Sequence, residues 1–163
     1  MTRGSIVFDV DGVLTQDRVS RYNVGPVGAA ADWALYQSGL DKRFMRDAVP
    51  DPLAREWIHH LRMLGFTADL RTGRREPRRE ITETWLGESC LEYDSLACLP
   101  RGMDLLEFKM AGVRRSAGCV LYIEDNHMLC REAAKLGDDA PVVIECTDWR
   151  IVATILKALT KEA

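Results

Sequence analysis

Two carboxylates stand two residues apart at the end of an apolar, β-branched run, Ser5-Ile6-Val7-Phe8-Asp9-Val10-Asp11-Gly12-Val13-Leu14-Thr15. The run reads as a buried parallel strand that stops where Gly12 lets the backbone bend, so both acids converge on one small volume at its carboxyl end. Like charges in a partly desolvated crevice repel, and either a bound proton or a hard divalent cation such as Mg²⁺ relieves them. A cation beside a carboxylate nucleophile suggests phosphoryl transfer. A calcium loop of the EF-hand type fits poorly, because it needs a third oxygen ligand before its glycine, and Val13 and Leu14 fall where further ligands would be wanted. The bland alternative is a pair of turn or capping aspartates.

The elements that must position these acids alternate strand and helix signals. Asp51 and Pro52 form the N-cap and first position of a helix in which Leu53, Trp57, Leu61 and Leu64 recur at helical spacing up to Gly65. A strand is expected over Phe66 to Arg71, followed by a polar turn, Thr72-Gly73-Arg74, and a helix from Pro77 to about Leu86. A third strand spans Ser95 to Leu99. After the loop Pro100-Arg101-Gly102, a helix from Met103 to Ala111 carries Lys109. A fourth strand, Ala117 to Ile123, ends in Glu124-Asp125, with Asn126 and His127 opening a helix closed by Gly137. The fifth is Pro141 to Glu145, and a last helix, Asp148 to Leu159, bears Ile151, Ile155 and Leu159 as a stripe expected to face the core. This order predicts an α/β, Rossmann-like parallel sheet of about five strands flanked by helices. Right-handed crossovers put the strand ends carrying Asp9, Thr72 and Asp125 on one edge.

Residues 16–50 are less regular. Gly25-Pro26 and Gly28 punctuate them, and Ala29 to Ser38 has the composition of a short helix, with Trp33, Tyr36, Leu40 and Phe44 as apolar anchors. They are expected to form a small cap-like insert after the first strand, either gating the site or packing on the domain.

At 163 residues with 47% hydrophobic content, the chain suits a single domain over residues 1–163 with a real core. A net charge of −3 argues against bulk polyanion binding but leaves room for a local patch such as Arg74-Arg75-Glu76-Pro77-Arg78-Arg79. The five cysteines form no CxxC pair and read as reduced thiols, with neither disulfide nor zinc expected; Cys119, Cys130 and Cys146 sit in apolar surroundings as small buried hydrophobes. No apolar run approaches the ~20 residues of a membrane span, and the amino terminus lacks a long apolar segment with a cleavage site. A cytoplasmic location without membrane contact is expected.

From Asp9 through Thr15 the sequence resembles the first motif of the haloacid dehalogenase-like (HAD) phosphatase superfamily, a strand ending in DxDG, then Val or Thr, Leu, and Thr or Ser. The resemblance implies that Asp9 attacks phosphorus to form an aspartyl phosphate, while Asp11 protonates the leaving alkoxide and then activates water. It also implies three further motifs. Thr72 would donate a hydroxyl hydrogen bond to the transferring phosphoryl group, with Gly73 allowing close backbone approach. Lys109, in preference to Arg101, would neutralise the aspartyl phosphate. Asp125 would complete a Mg²⁺ site with the Asp9 carboxylate and the Asp11 carbonyl, with Glu124 standing where the closest relatives carry the first of two aspartates. Glu124 or Asn126 could assist directly or through water. His127 could touch substrate or merely lie exposed.

Within the superfamily the chain is most similar to the phosphatase domain of phage-type polynucleotide kinase-phosphatases and their stand-alone relatives. The likeness rests on Asp17-Arg18 to Tyr22, Asp32-Trp33, Asp47 to Pro52, and Thr72-Gly73-Arg74 through Thr84-Trp85-Leu86. It implies removal of 3′-phosphates from nucleic-acid ends, with Arg74, Arg78 and Arg79 as further substrate contacts. Those relatives usually place an arginine before the proline of the third-strand loop; here Leu99 precedes Pro100 and Arg101 follows. No P-loop pattern is present in the sequence, so no kinase accompanies the phosphatase. The alternatives are a small-molecule phosphatase such as a 5′-nucleotidase, and a catalytically silent module that binds nucleic acid or phosphate.

Overall fold

The computed structural model describes residues 3–16 and 46–161. The expected helix over Ala29 to Ser38, its aromatic anchors and any gating by them lie outside the described residues. The first strand, β1, spans Ser5–Phe8 and is buried along most of its length. The chain then turns through Gly12, whose φ of +80° suits a residue without a Cβ. Helix α1, Pro52–Met63, starts as its sequence dictates: the Asp51 side chain accepts hydrogen bonds from the Leu53 and Ala54 N–H groups, and Pro52 occupies the first turn. It buries Ala54, Trp57, Ile58 and Leu61.

Strand β2, Thr67–Arg75, is longer than expected. Thr72, Gly73 and Arg74 continue the strand rather than forming a turn, and Thr72 and Arg74 share the buried face of a strand whose burial alternates throughout. The sequence reads as a turn because of Gly73. The chain stays extended there because β3, Ser95–Leu99, pairs alongside it, with the register slipping between Thr72 and Arg75. A 3₁₀ turn, Glu76–Arg78, leads into α2, Arg79–Glu88, which runs through Gly87 rather than stopping before it. Helix α3, Leu105–Gly112, is capped by Asp104, which accepts from the Leu106 and Glu107 N–H groups. Strand β4 is Cys119–Glu124, helix α4 is His127–Ala134 capped by Asn126, strand β5 is Val142–Glu145, and helix α5 is Trp149–Lys161.

The five strands are all parallel, in the order β3-β2-β1-β4-β5. After β1 the chain moves outward through β2 and β3 and then returns to the other side of β1 to lay down β4. The β1 end is therefore the switch point where outgoing loops diverge and leave a crevice. Phe8 is level with Leu70 of β2 and Ile123 of β4, so Asp9, Thr72 and Asp125 emerge together one or two residues beyond.

One apolar layer, with Ile6, Phe8, Trp57, Trp85, Trp149 and Leu156, packs on the α1, α2 and α5 face of the sheet. A smaller one, with Val7, Val113, Tyr122 and Ala133, packs on the α3 and α4 face. Helix α5 corrects the sequence reading. Ile151, Ile155 and Leu159 are exposed, at 52%, 37% and 42%, while Trp149, Val152, Ala153 and Leu156 are buried. Two apolar stripes at helical spacing compete on this helix, and the one with the indole wins: Trp149 reaches the Val13 carbonyl with its N–H. Cys98, Cys119, Cys130 and Cys146 are buried, and burial raises the Cys119 thiol to about 11 and the Cys130 thiol to about 12. Among the described residues no helix is long and apolar enough to cross a membrane.

Candidate active site

Asp9 leaves β1 at the crevice and is nearly buried. One of its oxygens accepts a 2.6 Å hydrogen bond from Lys109 Nζ, which donates a second, 2.9 Å bond to Glu124. The lysine reaches inward from α3 and is 1% exposed, whereas Arg101, its rival in sequence, is exposed. Glu124 ends β4 fully enclosed. It takes Lys109 and the Tyr122 hydroxyl on one oxygen and the Asn126 N–H, at 3.2 Å, on the other. Asp125 follows immediately, its carboxylate lying over Gly12. A Cβ added at Gly12 would sit 2.0 Å from Asp125 Oδ2, so the glycine makes room for the acid as well as the turn.

Oxygens of Asp9, Glu124 and Asp125 all lie within 4.8 Å of one another. The electrostatics follow from that crowding. Burial first, then Glu124 and the other acids, hold the Asp9 carboxyl well above its ordinary range against the pull of Lys109. Burial, with Glu124 next, pushes Asp125 up to about 7. For Glu124 burial acts upward too, but Lys109 and the Tyr122 hydrogen bond outweigh it and leave its pKa lowered. Three carboxylates with one ammonium leave two negative charges in excess when all are ionised. The donors are all oxygen, and Asp125 is only partly enclosed, so the set fits a hard divalent cation such as Mg²⁺.

Asp11 turns the other way. Its carboxylate is gripped by Arg74, with Nη2 at 2.7 Å from Oδ1 and Nε at 3.0 Å from Oδ2. Arg74, expected as a substrate contact, is 0% exposed, with its fork on Asp11. Thr72, also fully buried, accepts a 3.1 Å bond from the Arg74 N–H, leaving its own proton to donate elsewhere. Gly73 is half-buried, with its missing Cβ facing Leu105 at 3.3 Å. Arg79 is also engaged: it donates to Glu76 at 2.6 Å and to the Leu96 carbonyl at 2.9 Å, and pairs with Glu83. Arg78 faces a groove of about 390 Å³ that it shares with Arg46, Thr84 and Trp85. His127 is exposed and paired with Glu145 at 2.8 Å. Sequence reasoning missed Tyr122 and the Arg74–Asp11 pair. Continuing the strand period of two from Thr72 would have placed Arg74 on the same face.

No protein-family model and no curated protein matches the sequence. Solved structures do. A chain of the Pnkp1/Rnl/Hen1 complex superposes with a TM-score of 0.62 at 14% identity, over 88% of this chain and 46% of that one. The HAD domain of effector protein Lem4 from Legionella pneumophila gives 0.54 at 12% identity, over 94% and 93%. The fold is HAD-like. D,D-heptose 1,7-bisphosphate phosphatase from B. bronchiseptica, complexed with magnesium and phosphate, matches with a TM-score of 0.54 at 16% identity over the whole of both chains. The present chain spans less than half the length of the repair-complex chains it matches.

Proposed function

We propose that this HAD-like domain is a Mg²⁺-dependent phosphomonoester hydrolase working through an aspartyl phosphate on Asp9. The observation that carries the reading is the Asp9 carboxylate at the switch point, 2.6 Å from a buried lysine and inside a cluster of three acids. Asp9, Asp125 and the Asp11 carbonyl would hold the cation. When bound, it would neutralise the phosphoryl oxygens and bring them to the nucleophile.

An Asp9 oxygen attacks phosphorus and the bond from phosphorus to the ester oxygen breaks. Asp11, which must enter this step protonated while still paired with Arg74, gives its proton to the departing alkoxide. Lys109 offsets the charge on the attacking side and the Thr72 hydroxyl hydrogen-bonds a phosphoryl oxygen. Asp11, now a carboxylate, takes a proton from water as that water attacks phosphorus. Inorganic phosphate leaves and Asp9 is restored.

The substrate class we infer is a polynucleotide carrying a 3′-phosphate. The similarity to a chain of an RNA repair complex supports this, as does the groove that Arg46 and Arg78 share, where arginine forks could hold a backbone phosphate. Arg79, half-exposed and paired with Glu76 and Glu83, stays a candidate for the same role. Phosphate release should be compared for 3′-phosphorylated oligonucleotides, 5′-nucleotides and sugar phosphates, with Mg²⁺ and with excess chelator. Oligonucleotide 3′ ends should be the best substrates, all release should stop with chelator, and Arg78→Ala should raise KM for the oligonucleotide while sparing a small aryl phosphate. Preference for 5′-nucleotides would replace this reading with a nucleotidase. No release from any substrate would favour a silent binding module.

A further inference from the structure

The Arg74 fork that holds Asp11 is itself held from two other sides. The Trp85 ring, on α2, covers the guanidinium with its centroid 5.3 Å from Cζ. Thr82, one helical turn earlier, lies 3.4 Å from Nη1, and its hydroxyl proton goes to the Arg78 carbonyl at 2.9 Å, so its lone pairs face the arginine. Arg74 and Thr82 are both 0% exposed and Trp85 is 3% exposed. The indole N–H then donates a 2.8 Å bond to the Ala48 carbonyl. Ala48 lies on the stem that brings the chain back from residues 17–45. There the Gln16 N–H donates to the Val49 carbonyl at 2.8 Å, Thr15 bridges Pro50 in antiparallel fashion, and the Asp51 N–H donates to the Leu14 carbonyl at 2.8 Å.

We infer that Trp85 is a positioning residue for Asp11: with Thr82 it fixes the Arg74 fork in one orientation, and through Ala48 it locks that orientation to the returning stem of the insert. The inference rests on the proposed phosphatase reading, in which Asp11 serves as the acid. A carboxylic acid protonates a leaving group only from within hydrogen-bond reach, and small displacements of such groups are costly. An arginine has several rotatable bonds, and a forked ion pair transmits its orientation directly to the carboxylate. A tryptophan present only to fill the core would act on stability and leave the chemistry alone.

The two roles differ in which substrates suffer. An aryl ester such as p-nitrophenyl phosphate expels a stable phenolate and needs little protonation, whereas an alkyl ester depends on the acid. The ratio kcat/KM reports steps only up to leaving-group departure, so it isolates this dependence. The experiment measures kcat/KM for a series of aryl and alkyl phosphomonoesters with the wild-type chain, Asp11→Asn, Trp85→Leu, Trp85→Phe and the nearly isosteric Thr82→Val, with thermal melting to establish that each is folded. Asp11→Asn calibrates the series by losing most on the alkyl esters. Trp85→Leu should lose about 30-fold on alkyl esters and less than about 3-fold on p-nitrophenyl phosphate, part of the roughly 10²- to 10⁴-fold that a general acid contributes. Trp85→Phe and Thr82→Val should show the same bias at roughly 3- to 10-fold. Equal losses on all substrates, or none, in the folded Trp85→Phe and Thr82→Val variants overturn the inference while the phosphatase reading stands. If Asp11→Asn shows no bias, the acid role of Asp11 falls and the inference with it, whereas no hydrolysis by the wild-type chain would remove the phosphatase reading itself.

Discussion

The two faces of the sheet treat their aspartates in opposite ways. On the α3 and α4 face, Asp9 shares one lysine with Glu124 and crowds against Asp125, an excess of negative charge among the described residues. On the α2 face, Asp11 meets one arginine in a closed ion pair backed by Thr82 and Trp85. Acids two residues apart in sequence thus receive different surroundings because the chain turns between them. An acidic pocket attracts a cation, and the cation in turn an anionic ester; a closed pair suits a group whose direction matters. The two-aspartate pattern supplies both, and the division of labour comes from β2 and β4 on either side of β1.

Breaking the lysine should have the largest effect. Lys109→Met leaves Asp9 and Glu124 buried without their cation, so we expect a loss of about 3 kcal/mol in stability without Mg²⁺ and a fall in kcat/KM of at least ~100-fold, spread evenly over aryl and alkyl esters. Chemical denaturation and the same ester series check both. A fall confined to alkyl esters would assign Lys109 to the Asp11 side and dissolve the distinction between the faces.

Much of this arrangement was legible in the sequence, for identifiable reasons. Buried parallel strands are apolar and end abruptly in polar residues, so Asp9 and Asp125 announced their strand ends, and Asp51-Pro52 marked a helix start to the residue. Lys109 emerged as a candidate from the order of motifs, but that its ammonium would be shared with Glu124 depends on Tyr122 filling the space beside them, and no local pattern encodes that. Gly73 hid the end of β2 beyond Arg71, and with it the shared face of Thr72 and Arg74. Helix α5 carries two apolar stripes, and only the packing of Trp149 against the β1 loop selects between them.

The charge excess on the Asp9 face gives a second, smaller test through pH. Asp125 rises from 3.8 to about 7 and Asp9 rises as well, so without metal the folded state binds more protons than the unfolded one over that window. Their contribution to stability is therefore present at low pH and is lost as pH rises from about 4 through about 7. Melting temperature in excess chelator should decline across this range relative to samples with Mg²⁺, and Asp125→Asn should flatten the decline. Superimposable curves with and without Mg²⁺ would mean that the cluster binds no cation.

The smallest effect concerns α5. Ile155→Ser, on the exposed stripe, should change stability by less than about 0.5 kcal/mol, whereas Val152→Ala on the buried one should cost about 1–2 kcal/mol. Equal costs in denaturant titrations would restore the stripe expected from the sequence.

The central claim is that Asp9 carries the phosphoryl group, and acid quenching during turnover tests it most directly. A substrate labelled with ³²P at its terminal phosphate is mixed with the enzyme and Mg²⁺, quenched in acid within milliseconds and precipitated. The account predicts label bound to protein, released by hydroxylamine as an acyl phosphate is, and absent from a folded Asp9→Asn variant that also releases no phosphate. Phosphate release by Asp9→Asn at the wild-type rate would contradict it.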